Sequence, residues 1–176
     1  MEERIEYLKR EEAVEGKLRN MVSLYLTAGD RMLLLYRIGS RVLRTPCWCG
    51  IGGHFEKEEL NDARAALLRE VSEEIGLAER DLEDLRLRYV TLRRKDGEIR
   101  QNYYFFARLA AGTAVRESCD EGVLEWVPLD EVCGRDMPYT AGYVVRHYLE
   151  TGRQEEALYC GVADKQGVRF AALEEF

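Results

Sequence analysis

Between residues 52 and 77 the chain reads GGHFEKEELNDARAALLREVSEEIGL, and few local structures accommodate that stretch. Glu70, Glu73 and Glu74 stand at i, i+3 and i+4, which places them on one face of a helix. Leu67, Leu68, Val71 and Ile75 fall on a different face, so the helix has a buried side and an acidic side. Asn61 or Asp62 can cap its start, and Gly76, tolerant of a left-handed conformation, is suited to end it. A glycine pair, Gly52-Gly53, turns the chain just before.

The acidic face needs a reason. Like charges one turn apart, as at Glu70 and Glu74, destabilise a helix by about 0.2–0.5 kcal/mol, and closing them into a cleft raises the cost. Arg69 lies i,i+4 from Glu73 and offsets part of this, but one arginine cannot neutralise every carboxylate. A solvated acidic face is the plain account in a chain with 34% charged residues. The glycine turn, the hydrophobic strand before it and the arginine set among the acids favour another. A hard divalent cation such as Mg2+ takes a few carboxylate oxygens and keeps waters that substrate phosphates can replace.

At 176 residues the chain suits one domain, residues 1–176, with a core of its own; residues 1–18, alternately acidic and basic, read as a short helix or a mobile lead-in. A net charge of −7 argues against a general nucleic-acid binder, whose affinity comes from basic surface. It does not argue against a small phosphorylated substrate, because a bound cation and a few arginines reverse the field locally. No apolar run approaches ~20 residues and the charged start is unlike a signal peptide, so the expectation is a cytoplasmic protein with no membrane partner. The five cysteines are scattered, and Cys47-x-Cys49 is too tight for a zinc knuckle; reduced thiols are expected.

Strands are expected over residues 20–27 and 31–37 around Gly29-Asp30, over 85–94 and 98–109 around Lys95-Asp96-Gly97, and over 123–127. Residues 46–53 read as a short strand breaking into the glycine turn. A brief helix over 129–132, a longer one over 138–151 and a closing hairpin of 156–162 with 168–173 complete the pattern. It is an α/β pattern, a mixed sheet with helices on both sides.

These residues resemble the signature of the Nudix hydrolases, G-x5-E-x7-R-E-U-x-E-E-x-G-U with U aliphatic. Arg69-Glu70-Val71-Ser72-Glu73-Glu74-Ile75-Gly76-Leu77 fits its second half without departure, and Gly53 to Glu59 keeps the first spacing. The interval from Glu59 to Arg69 is two residues longer than the pattern, as though Leu60-Asn61 were inserted before the helix, so Glu56, Glu58 or Glu59 is the acid that pairs with Arg69. The resemblance implies the α/β/α sandwich of that family, with a mixed central sheet and a catalytic loop-helix. It also implies Glu70, Glu73 and Glu74 as ligands of Mg2+, with Mn2+ as the alternative ion, and hydrolysis of a nucleoside diphosphate linked to another group. A carboxylate, Glu70 or Glu121, would take the proton of the attacking water, and Arg69 would orient the acidic loop.

Further positions are candidates. Glu121 precedes the 123–127 strand where the family often places another metal-binding or basic carboxylate, with Asp120 as the substitute; a plain turn acid is the other account. Glu125 is expected to face solvent. Arg37, Arg41 and Arg44 suit phosphate oxygens, although surface arginines are commonly only solvated. Trp48, close to the Gly50–Gly53 turn, is the aromatic candidate for a base, with core packing as its competitor. Gly52 and Gly53 would border the substrate, His54 could meet a phosphate, and His147 reads as structural. Tyr103 to Phe106 should alternate between inside and outside.

The segments Trp48-Cys49-Gly50-x-Gly52-Gly53, Cys119-Asp120-Glu121 leading to Trp126, Leu129-Asp130-Glu131 and Asp136-Met137-Pro138 are similar to the family branch that hydrolyses oxidised purine nucleoside triphosphates. That implies an 8-oxo-dGTP-like substrate cleaved to a monophosphate and pyrophosphate. Cys49 replaces the asparagine that helps read the base in the animal-type enzymes, and the segment around Met137-Pro138-Tyr139-Thr140 lacks their acidic, tryptophan-bearing element. ADP-ribose, a nucleotide sugar or another diphosphate conjugate is the alternative substrate, and a non-catalytic nucleotide sensor the alternative function. The expected partner is a small nucleotide, and the expected state a monomer or homodimer.

Overall fold

The computed structural model describes residues 16–38 and 45–175. The lead-in up to residue 15 and the candidates Arg41 and Arg44 lie outside the described residues. Among the described residues nine strands, β1 (Leu18–Ala28), β2 (Arg31–Arg37), β3 (Cys47–Cys49), β4 (Leu82–Lys95), β5 (Glu98–Leu109), β6 (Ser118–Cys119), β7 (Gly122–Pro128), β8 (Leu158–Asp164) and β9 (Gly167–Leu173), form one sheet. Its order is β6-β7-β2-β1-β5-β4-β8-β9, with β3 on β2. β1 runs parallel to β5 and β4 to β8, while the hairpins are antiparallel, so the sheet is mixed. Among the described residues three helices, α1 (Ala63–Ile75), α2 (Leu129–Val132) and α3 (Tyr139–Glu150), cover it. Among the described residues no helix is long and apolar enough to cross a membrane.

The pleat explains the two cores. Val22, Leu24 and Leu26 of β1 pack with Phe105 of β5 and with Leu67, Val71 and Ile75 of α1. The alternate positions, Tyr25 with Tyr104 and Phe106, pack with Val144 and Val145 of α3. A strand covered on both faces buries both sets, which corrects the expected exposure of half of the Tyr103–Phe106 run: Tyr104, Phe105 and Phe106 are buried and Tyr103 half-buried.

Two strands are displaced from their expected bounds: the first strand of the closing hairpin runs Leu158–Asp164 rather than over 156–162, and β4 is displaced at a bulge. β4 begins at Leu82 rather than 85 because Asp84, at φ 54°, and an irregular register between Glu83 and Arg86 let the strand start early and bend. Asp62, not Asn61, caps α1, accepting from the Ala65 amide at 2.9 Å, and Gly76 closes it at φ 72°. Residues 47–54 hold the centre. β3 takes over the edge of β2 at Leu35–Arg37, beyond the residues where β2 pairs with β1, and the chain then returns to β1 through Ile51 and His54.

Candidate active site

The glycine turn is bonded to β1. Val22 N donates to the Gly53 carbonyl at 2.9 Å and Leu24 N to the Ile51 carbonyl at 2.7 Å. Gly52 sits at φ 147°, and a Cβ there would stand 2.2 Å from the Val22 carbonyl oxygen. Gly53 answers a different need: a Cβ on it would stand 2.5 Å from Glu70 Oε1. Gly52 lets the backbone pass β1, and Gly53 leaves the space that the Glu70 carboxylate fills.

Arg69 gathers the acidic loop. Its Nε and Nη2 donate to Glu59 Oε1 and Oε2 at 2.7 and 3.0 Å, a forked pair. Nη1 donates to Glu70 at 3.0 Å and Glu73 at 3.2 Å, and Nη2 also to the His54 carbonyl at 3.0 Å. The acid paired with Arg69 is therefore Glu59, not Glu56 or Glu58. The extra residues Leu60 and Asn61 sit in the turn between Lys57–Glu59 and the Asp62 cap, and so leave the pair intact. The Arg69 hydrogen bond holds the Glu59 carboxyl below the usual range, and the same bond raises Arg69.

A second arginine organises the far end of the acidic face. Arg37 Nη2 donates to Glu74 Oε1 at 3.1 Å, to the Gly52 carbonyl at 3.3 Å, and pairs with Glu121. The Gly52 amide donates to Glu74 Oε2 at 2.9 Å. Glu74 is 6% exposed. Burial raises its carboxyl well above the usual range against the pull of Arg37, and Glu121 beside it raises it further. Glu70 is also raised, by burial first, against Arg69, with Glu73 and Glu121 adding to the rise. Arg37 Nε is buried without a hydrogen-bond partner among the described residues. Cys49 stays a thiol: burial pushes it up to about 12 in spite of Arg37.

The structure thus brings Glu70, Glu74, Glu121, Arg37 and Arg69 to the Gly52-Gly53 turn. Glu73 lies at the rim, its side chain 60% exposed. Among the described residues no three His, Cys, Asp or Glu side chains are drawn round a single point tightly enough to hold a metal; Arg37 bonds both Glu74 and Glu121. Asp120 and Glu125 are exposed, and Glu125 is paired with Arg135. Trp48 lies half-buried between Tyr36, 4.9 Å between ring centroids, and the Arg135 guanidinium at 4.8 Å.

A cavity of about 150 Å³ opens beside the turn, lined from β1, residues 49–54, the β4–β5 arms and the start of α3. Arg37, Gly52, Gly53 and His54 belong to its wall and Trp48 does not. Tyr25, Arg93, Arg100 and Asn102 also line it, and none was singled out in the sequence. The usable signal was the Lys95-Asp96-Gly97 turn, whose register sets Arg93 opposite Arg100.

The NUDIX domain model matches residues 17–148. The chain belongs to the Nudix family. The chain is accordingly a hydrolase of pyrophosphate bonds, and enzymes of this family generally use divalent metal ions. Its Nudix fold is similar to a MutT protein from Bacillus halodurans at a TM-score of 0.65, with 21% identity over 86% of this chain and 97% of that one. A Nudix hydrolase from Nitrosomonas europaea gives 0.67, with 16% identity over 85% of this chain and 80% of that one. The Nudix domain of Shewanella oneidensis NrtR, solved with ADP-ribose, gives 0.57, with 16% identity over 86% and 98%. No curated protein matches the chain by sequence.

Proposed function

We propose that this Nudix enzyme hydrolyses, with Mg2+, a nucleoside diphosphate linked to a further group. The observation that carries the reading is the gathering of Glu70, Glu74 and Glu121 at the glycine turn, with Arg37 bonded to two of them and Arg69 to the other. The donors suit the ion: hard carboxylate oxygens, too many for the neighbouring guanidinium, with the nearby Cys49 held as a thiol that does not compete. Glu70, Glu74 and Glu121 would hold it once the ion takes the place of Arg37 on Glu74 and Glu121, with Glu73 reaching in from the rim. When bound, Mg2+ would neutralise charge on the diphosphate and lower the pKa of a coordinated water.

The chain's own residues do the rest. Glu70 or Glu121 accepts the proton of the attacking water. Arg69, tied to Glu59 and the His54 carbonyl, fixes where Glu70 and Glu73 stand. Gly52 and Gly53 let a phosphate approach the backbone closely. Within this class the sequence likeness favours a purine nucleoside triphosphate, 8-oxo-dGTP-like, cleaved to a monophosphate and pyrophosphate. ADP-ribose is the second substrate, favoured by the neighbour that was solved with it.

The test is a panel of 8-oxo-dGTP, dGTP, ADP-ribose and a nucleotide sugar, read by phosphate and pyrophosphate release with and without Mg2+. Turnover of at least one that requires the ion is expected. Nucleotide binding without metal and no turnover of any would replace this reading with a sensor.

A further inference from the structure

The cavity beside the glycine turn has an unusual balance of charge. Among the described residues its lining contains Arg37, Arg93, Arg100 and His54 and no aspartate or glutamate. Arg37 is already paired with Glu74 and Glu121. Arg93 and Arg100 are direct cross-strand neighbours in the β4–β5 register, a like-charge pair that destabilises a sheet unless something negative is supplied. Asp96 and Glu98, outside the lining, supply part of it to Arg100, at 3.3 and 3.6 Å. Arg93 has no ion pair among the described residues. Its guanidinium lies over the Tyr139 ring at 4.7 Å, which covers one face and leaves the N–H edge to bond.

Two further donors sit in the same wall. Tyr25 lines the wall, and its buried hydroxyl has no hydrogen-bond partner among the described residues. The first turn of α3, at Tyr139 and Thr140, borders the cavity, and that helix has no side-chain cap and no acid in its first turn. A 12-residue helix therefore presents its positive end where two arginines already stand. His54 agrees with this field: burial first, then Arg19 and Arg37, lower its pKa.

We infer that the cavity takes a phosphate monoester carried by the substrate, held by Arg93, Arg100 and the first turn of α3, so that the preferred substrate has a phosphate beyond the diphosphate that is cleaved. This rests on the hydrolase reading for the place of the diphosphate: Arg37, Gly52 and Gly53 belong both to the cavity wall and to the acidic site. The cavity is smaller than the roughly 300–1,000 Å³ of a whole-ligand site, so it suits one group of a substrate whose remainder lies over the glutamates.

Calorimetry on the full chain without divalent metal separates the two readings, using adenosine 3′,5′-bisphosphate, AMP and inorganic phosphate. The bisphosphate should bind about tenfold tighter than AMP, the extra phosphate meeting paired arginines. Arg93→Gln should abolish that preference and Arg93→Lys should retain part of it. Tyr25→Phe, which removes an unpartnered hydroxyl and so spares the fold, should narrow it. In turnover, Arg93→Gln should raise KM for ADP-ribose 2′-phosphate by a larger factor than KM for ADP-ribose. Equal binding of bisphosphate and AMP, an unaltered preference in Arg93→Gln, or inorganic phosphate binding as tightly as the bisphosphate would overturn the inference. Preference without turnover of any panel member would remove the catalytic reading and leave the phosphate pocket standing.

Discussion

The two sides of the glycine turn are electrostatic opposites. On the α1 side, Glu59, Glu70, Glu73, Glu74 and Glu121 are held by two arginines, and burial drives Glu70 and Glu74 toward the protonated form. On the cavity side Arg93 and Arg100 face each other with no carboxylate in the lining. Neither arrangement is favourable by itself. Each would be relieved by the opposite charge, under the proposals made above a divalent cation on one side and phosphate oxygens on the other. Two half-satisfied charge clusters a few residues apart are what a polyanion-processing site requires and what a purely structural network would avoid.

The sharpest way to break this contrast is to remove charge from the acidic side. Glu70→Gln and Glu74→Gln should lower kcat on the order of 10²–10⁴-fold while the chain still melts cooperatively, the range expected when a positioned carboxylate is lost. Wild-type turnover in either variant would show that the acidic side does not hold the chemistry. Glu73→Gln should also lower turnover with an unchanged Tm, because only a rim carboxylate is lost. If its kcat stays at the wild-type value, the ion is confined to Glu70, Glu74 and Glu121.

The glycines sharpen the comparison next. Gly53→Ala places its methyl against the Glu70 carboxylate, the mobile end of a side chain, so turnover should fall on the order of tenfold or more with little change in Tm. Gly52→Ala meets the Val22 backbone at a φ that alanine resists, so it should lower Tm by several degrees, as backbone strain of roughly 1–3 kcal/mol predicts. The reverse pattern, activity lost at 52 and stability at 53, would mean that the turn is held differently. A smaller effect separates Glu59 from its neighbours. Glu59→Gln should reduce kcat by freeing Arg69, whereas Glu58→Gln, exposed and apart from Arg69, should not.

Much of the acidic side was legible because it is local. The cap at Asp62, the stop at Gly76 and the spacing of Glu70, Glu73 and Glu74 are read within one helix, and the hairpin turns declare themselves through glycine. The pairing of Arg69 with Glu59 was left open because a two-residue insertion breaks the spacing, and only the fold shows that the extra residues loop out. Trp48 was placed beside a base on proximity to the turn. Its surroundings are set by Tyr36 and Arg135, the latter 87 positions downstream, so the neighbouring sequence could not reveal them. The cavity was illegible for the same reason: Tyr25, Arg93, Arg100 and Thr140 meet only once β1 lies parallel to β5 and α3 folds back over them.

The smallest effect lies at His147, on the α3 face but remote from either cluster. Its Nδ1 is 2.8 Å from the Tyr89 hydroxyl, and its ring packs against Tyr159 and Phe170 at 4.8 and 4.6 Å between centroids. Burial lowers its pKa in the folded chain, with Glu155 and Glu150 pulling the other way. An unfolded histidine titrates near ~6.5, so as the pH falls through that value the unfolded chain binds the proton first. Stability from the neutral ring is therefore present above about 6.5 and is lost as the pH falls through the lower folded value. Tm should drop between neutral and mildly acidic pH, and His147→Gln should drop less over the same interval. An identical decline in both proteins would assign the acid sensitivity to carboxylates instead, with the buried glutamates ruled out because their raised pKa values make them favour the folded chain at low pH.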